Sequence, residues 1–197
     1  MGHFALSGYR NPLQSGAQAD RIDSAEAETG AEAVEHRGPF RILPATPSDV
    51  PEILAMIEAL ADYERLRDLC IATKTALHAA LFGPHPAAEV IMGWEGSSPV
   101  AFALFFHNFS TFLARKGLYL EDLFVRPAFR GRGYGRALLI HLARIAVMRD
   151  CGRFEWAVLD WNSAAIGFYE SLGASVLPDW RITRVTGDAL QRLAQSA

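Results

Sequence analysis

The stretch from Leu118 to Asp150 constrains the fold of this chain more than any other part of its sequence. It opens with LYLEDLFV, an apolar run in which successive side chains point to opposite faces of a strand. Strict alternation puts Tyr119, Glu121, Leu123 and Val125 on one face and Leu118, Leu120, Asp122 and Phe124 on the other. Both faces are otherwise apolar, so the run reads as a central strand. RPAFRGRGYGR then leads into a helical pattern from about Gly135 to Asp150. A central strand feeding a helix through a glycine-punctuated loop calls for a sheet that carries that helix on one face.

The flanking patterns fill in the rest. A short strand, FRIL from Phe40, leads through Pro44 and Pro47 into a helix from Asp49 to about Glu64, with Ser48 or Asp49 as its cap and Pro51 in its first turn. The apolar side of that helix reads Ile53, Ile57, Leu60, and Tyr63 and Glu64 come next on it. A second helix is expected from Thr73 to Phe82, ended by Gly83 and Pro84. Strands follow at Glu89 to Trp94 and Val100 to His107, joined by a turn containing Gly96. Beyond the central unit come a strand from Phe154 to Leu159, a helix from Ser163 to Leu172 capped by Asn162 and Gly173, and a last strand from Trp180 to Val185. Hairpins followed by strand, helix, strand, helix predict an α/β fold with a mixed, mostly antiparallel twisted sheet flanked by helices. Its domain spans residues 39–197, after a flexible extension at 1–38 whose Ala, Ser, Gly, Gln and Glu cannot bury enough apolar surface to order a chain.

Composition excludes several partners. A formal net charge of -3 gives no basic surface for nucleic acid or an anionic membrane. Cys70 and Cys151 stand far apart without CxxC or CxxH neighbours, so neither a disulfide framework nor a metal site is indicated. No apolar run approaches the ~20 residues of a membrane span, and the N-terminus lacks a signal pattern. The expectation is a cytoplasmic protein with a small-molecule partner.

The loop itself looks built for a polyphosphate. Gly131, Gly133 and Gly135 alternate with Arg130, Arg132, Tyr134 and Arg136. Residues without Cβ let backbone N–H groups approach a phosphate, and the helix N-terminus adds the positive end of its dipole. GxxxxGK[ST] is absent and the spacing is GxGxG, not GxGxxG, although Asp160 at the end of the next strand keeps a nicotinamide or flavin enzyme among the alternatives. A tight turn with no ligand is the plainer one. The two carboxylates of the strand bear on the acceptor. Burying a carboxylate costs several kcal/mol on the order of its desolvation unless it is paired or serves a site. Asp122 has a structural reading, as an acceptor from backbone or arginine, whereas Glu121 is the candidate to attract a cationic amine and take its proton.

These residues also resemble a known pattern. Arg130-x-x-Gly133-x-Gly135 is similar to the pyrophosphate motif of the GNAT superfamily of acetyl-CoA acyltransferases, and WNSAAIGFYESLGA at 161–174 is similar to that superfamily's Asn-plus-FYxxxG segment. With YLEDLFV the resemblance narrows to the diamine (spermidine/spermine) and thialysine N-acetyltransferase branch. It implies acetyl-CoA as co-substrate, held by backbone groups of Leu123, Phe124 and Val125, by Arg130 to Arg136 at the pyrophosphate, and by Asn162, Ala165 and Tyr169 on the pantetheine and thiol side. It implies an acceptor site that includes Tyr63, Glu64 and Glu121, with Asp122 added as the neighbouring acid, and a homodimer. Direct attack of a primary amine on the thioester is expected because neither cysteine sits in a nucleophile motif, with Glu121 as base through water and Tyr169 as acid. Without the resemblance, Tyr169 reads as a core aromatic beside the helical stripe of Ala165, Phe168 and Leu172. Ser110-Thr111, ten positions before Glu121 and its neighbour, departs from the acidic residue of the diamine enzymes and turns the expected acceptor toward thialysine or other lysine-like amines. A non-catalytic acyl-CoA sensor and an acetyltransferase acting on a protein amine are the competing readings.

Overall fold

The computed structural model describes residues 38–196, so the expected extension lies outside the described residues except for Gly38. Among the described residues one sheet runs in the order β1 (Phe40–Pro44), β2 (Glu89–Glu95), β3 (Ser98–Ser110), β4 (Arg115–Val125), β5 (Phe154–Trp156). The first four strands pair antiparallel and β5 pairs parallel with β4. This is the expected mixed, mostly antiparallel sheet.

Helices cover both faces because β3 is apolar on both. Ala101, Ala103 and Phe105 pack with Leu138, Leu139, Leu142 and Ile145 of α3 (Tyr134–Met148), joined by Phe168, Tyr169 and Leu172 from and just after α4 (Ser163–Ser171). Phe102 and Leu104 pack the other way, with Ile53, Met56 and Leu81 from α1 (Val50–Tyr63) and α2 (Lys74–Phe82). Each fully buried leucine of α3 contributes about 1.5–3 kcal/mol, which fixes the helix whose N-terminus the glycine loop enters. α5 (Gly187–Ala194) buries no residue.

The central strand departs from strict alternation. Its register with β3 slips where Leu104 pairs with Asp122 but Phe105 pairs with Leu120, leaving Glu121 as the extra residue of a β-bulge. Leu118, Leu120, Leu123 and Val125 therefore all reach the α3 core, while Phe124 reaches the α1 core. Asp122 stands on the α1 side with Phe124, and Glu121 belongs to neither alternating set.

Three further expectations are corrected. Neither Ser48 nor Asp49 caps α1 with its side chain; the chain turns in at Thr46, whose N–H and Oγ1 both donate to Asp49 Oδ2 at 2.7 and 2.8 Å. The strand expected to reach Leu159 stops at Trp156, because only Phe154–Trp156 finds a partner on β4. Trp180 to Val185 forms no strand: its residues are exposed and no strand among the described residues supplies a ladder, without which β-propensity alone does not hold.

Candidate active site

β4 and β5 part after Leu120 and Trp156, and β4 runs on through Glu121–Val125 with no strand on that side among the described residues. Arg126 N donates to Val100 O at 2.9 Å. Alternation along an antiparallel pair then turns the N–H and C=O of Leu123 and Val125 away from β3 and into the gap. Val125 O meets Arg130 Nε there, at 3.0 Å. The backbone groups of Phe124 point at β3 by the same alternation, so Leu123 and Val125 are the two of the three expected residues that offer backbone to the gap.

At the parting lies a small pocket, partly open to solvent. Leu60 and Glu64 line it from α1, Leu120 to Leu123 from β4, Trp156 and Ala157 from the end of β5, and Tyr169 from α4. Glu64, Glu121 and Asp122 thus face one space. Burial pushes the Asp122 carboxyl up from 3.8 to about 6, and the charges of Glu121 and Glu64 push it the same way. Burial raises Glu64 as well. The Tyr169 phenol is raised by burial first and then by Glu64 and Tyr63, which keeps it protonated at neutral pH. Its ring stands edge-on to Trp156 at 5.1 Å, and α4 is anchored by Asn162 Oδ1, which accepts from Ala165 N at 3.2 Å. The Asn162 side chain and the Ala165 amide are therefore engaged with each other as a helix cap.

The glycine loop divides its work. Gly131 and Gly133 adopt left-handed φ of 76° and 80°, and the space where a Cβ would stand is open at both. Gly135 needs no such freedom; a Cβ there meets Leu123 and Val125 at an ordinary 3.8 Å. Arg132 and Tyr134, expected at the pyrophosphate, instead turn to Glu95 at the end of β2. Arg132 Nη1 pairs with Glu95 Oε2 at 2.9 Å, the Tyr134 hydroxyl donates to the same oxygen, and Phe40 stacks on Tyr134 at 4.0 Å. The Glu95 side chain is only 8% exposed, so this is a buried tether rather than a surface pair. Arg130 lies over Tyr63 at 4.8 Å, and Arg136 is exposed on the first turn of α3. Neither forms an ion pair with a described carboxylate. They and the N–H groups at the start of α3 remain to meet an anion.

The remaining expected residues sit at the margins. Tyr63 is exposed at the rim, tilted against Trp161 at 6.1 Å, and does not line the pocket. Ser110 and Thr111 lie at the turn between β3 and β4, where Ser110 Oγ accepts from Leu113 N at 3.3 Å. Two residues that shape the site escaped sequence reasoning. Glu95 carries no local signal, since its partners lie 37 and 39 positions away. Arg65, at φ 62°, follows Glu64 in a conformation that suits glycine and gave no cue as an arginine.

An open strand edge, a glycine loop at a helix N-terminus and an acid-lined pocket together define an enzyme that transfers an acyl group to an amine. Residues 53–174 match the Acetyltransferase (GNAT) family, and the chain belongs to it. An L-ornithine N5-acetyltransferase of Arabidopsis thaliana is 36% identical over 203 residues, covering 80% of this chain and 89% of that protein. A thialysine N-epsilon-acetyltransferase of Sus scrofa is 37% identical over 161 residues, covering 76% and 94%. Among solved structures, an integron cassette protein of V. cholerae matches with a TM-score of 0.68 at 28% identity, covering 80% of this chain and 98% of that one. The chain is an N-acetyltransferase of the branch these relatives mark out.

Proposed function

We propose that this enzyme moves the acetyl group of acetyl-CoA to the side-chain amine of a small cationic acceptor of the ornithine or thialysine kind. The observation that carries this reading is the pocket itself, where three carboxylates and a protonated tyrosine meet beside an unpaired strand edge. The names of the relatives support the same acceptor chemistry.

The residues present fit acetyl-CoA. Gly131 and Gly133 leave their Cβ space open, the first N–H groups of α3 are unclaimed by its own helix, and Arg130 and Arg136 supply charge for a pyrophosphate. Leu123 and Val125 offer backbone to the pantetheine as a neighbouring strand would. When bound, acetyl-CoA supplies an activated acetyl thioester. An alkylammonium has a pKa of about 10 and cannot attack until it loses a proton. Asp122 is our candidate to take it: with its carboxyl near 6 it is ionised at neutral pH yet basic enough to hold a proton, directly or through water. Glu121, exposed on the bulge, and Glu64 attract the cation. The Val125 N–H stands ready to donate to the acyl oxygen, and Tyr169 donates a proton toward the departing sulfur. A homodimer is part of this proposal, because Trp180, Ile182 and their neighbours stay uncovered in one chain.

The test follows thiol release from acetyl-CoA with thialysine, L-ornithine, putrescine, spermidine and a lysine peptide as acceptors. Saturable release is expected on the small amino-acid amines. Tight CoA binding without release on any amine favours a sensor and rejects the proposal, as does release on the peptide alone.

A further inference from the structure

The end of α1 carries a side chain that its backbone does not favour. Leu66 N donates to Ala61 O at 2.8 Å and Arg65 N to Asp62 O at 3.1 Å, the paired bonds of a Schellman helix end. That motif sets the residue after the cap in the left-handed conformation, and Arg65 takes it at φ 62°. Glycine does so without strain, whereas any Cβ crowds the following carbonyl. Ala114 and Asp150 take the same conformation at φ 49° and 52°, so the backbone alone does not single out Arg65; what its side chain reaches does.

The side chain extends toward the loop before α4. Its guanidinium lies 5.9 Å from the ring centre of Trp161, on the loop before α4, while the preceding residue, Glu64, lines the pocket. Arg67, two positions on, is paired with Glu58 at 2.9 Å and Asp62 at 3.7 Å. Arg65 forms no ion pair with any described carboxylate.

We propose that Arg65 binds the carboxylate of an amino-acid acceptor whose side-chain ammonium enters the pocket of Glu64, Glu121 and Asp122. The inference rests on the amine-acetylation reading above and specifies which amines fit. A negative floor and a positive rim match a molecule with an ammonium at one end and, at the other, a second ammonium balanced by its own carboxylate. A diamine lacks that carboxylate, so its second ammonium meets Arg65 as an unbalanced like charge. The planar fork of arginine suits a carboxylate better than a lysine would.

L-Ornithine and 1,4-diaminobutane differ by that carboxylate alone. Their kcat/KM values, read by thiol release, are to be compared in the wild type, Arg65→Gly and Arg65→Lys. Glycine suits the helix end, so the unfolding temperature of Arg65→Gly should hold or rise, which separates lost recognition from lost fold. The ratio of ornithine to diaminobutane is expected to fall about tenfold or more in Arg65→Gly, mainly through KM, with part regained in Arg65→Lys. An unchanged ratio, whether both rates fall together or neither does, overturns the assignment and leaves Arg65 a bridge to Trp161. A wild type that acetylates neither compound fails the amine-acetylation reading first, and Arg65 with it.

Discussion

In Asp122 the property that lowers stability is the one that suits the proposed proton transfer. Its carboxyl is neutral below 3.8 in both folded and unfolded chains. Between 3.8 and about 6 the folded chain keeps a proton that the unfolded chain gives up, so stability falls as pH rises through that window and stays reduced above it. A shift of this size corresponds to at most about 3 kcal/mol. Asp122→Asn removes the penalty, and at pH 7.5 it should raise Tm by several degrees, at roughly 2–4 °C per kcal/mol. The gain should shrink toward pH 4. The same variant should lose about a hundredfold or more in kcat on amines, while wild-type kcat/KM climbs as pH passes about 6. Equal melting of wild type and variant at both pH values would remove Asp122 from this role.

At the scale of elements, the glycine loop depends on a distant strand end. Glu95 holds Arg132 and Tyr134 from the β2 side, so the loop keeps its shape without relying on its ligand. Glu95→Gln weakens two charge-assisted bonds. It should raise KM for acetyl-CoA about tenfold with kcat at saturation changed little; a fall in kcat at constant KM would instead tie Glu95 to the chemical step. None of this is legible locally, because the tether joins residues far apart in the chain. What is legible is what neighbouring residues decide: the Asn162 cap, the Gly96 turn, α3 and its glycine entry. The bulge at Glu121 depends on how β4 meets β3, so strict alternation misassigned the faces of Leu123 and Val125 and hid that Asp122 is the more buried of the two acids. The strand expected at Trp180 to Val185 fails for a related reason, since a strand is a property of a pair.

For the whole molecule, the chain beyond Ala174 is the anomaly. Val176, Leu177, Trp180, Ile182, Val185, Leu190 and Leu193 are all exposed, Trp180 at 76%, which is a large apolar area to leave in water. A second copy is the partner we assign to it. Sedimentation at micromolar concentration should report a dimer, and a chain ending at Ala174 should sediment as a folded monomer, because it gives up almost no buried surface of its own. A monomeric full-length chain would rule the pairing out.

The parting of β4 from β5 also bears on solubility. An unpaired strand edge is a template on which other chains can add and aggregate. Here it opens at the bottom of a cleft, next to a bulge that kinks it and two carboxylates that an incoming strand would have to bury. On the proposed reading, the acids that would draw in a cationic acceptor also act as gatekeepers, leaving the edge open to a slender ligand and closed to another sheet.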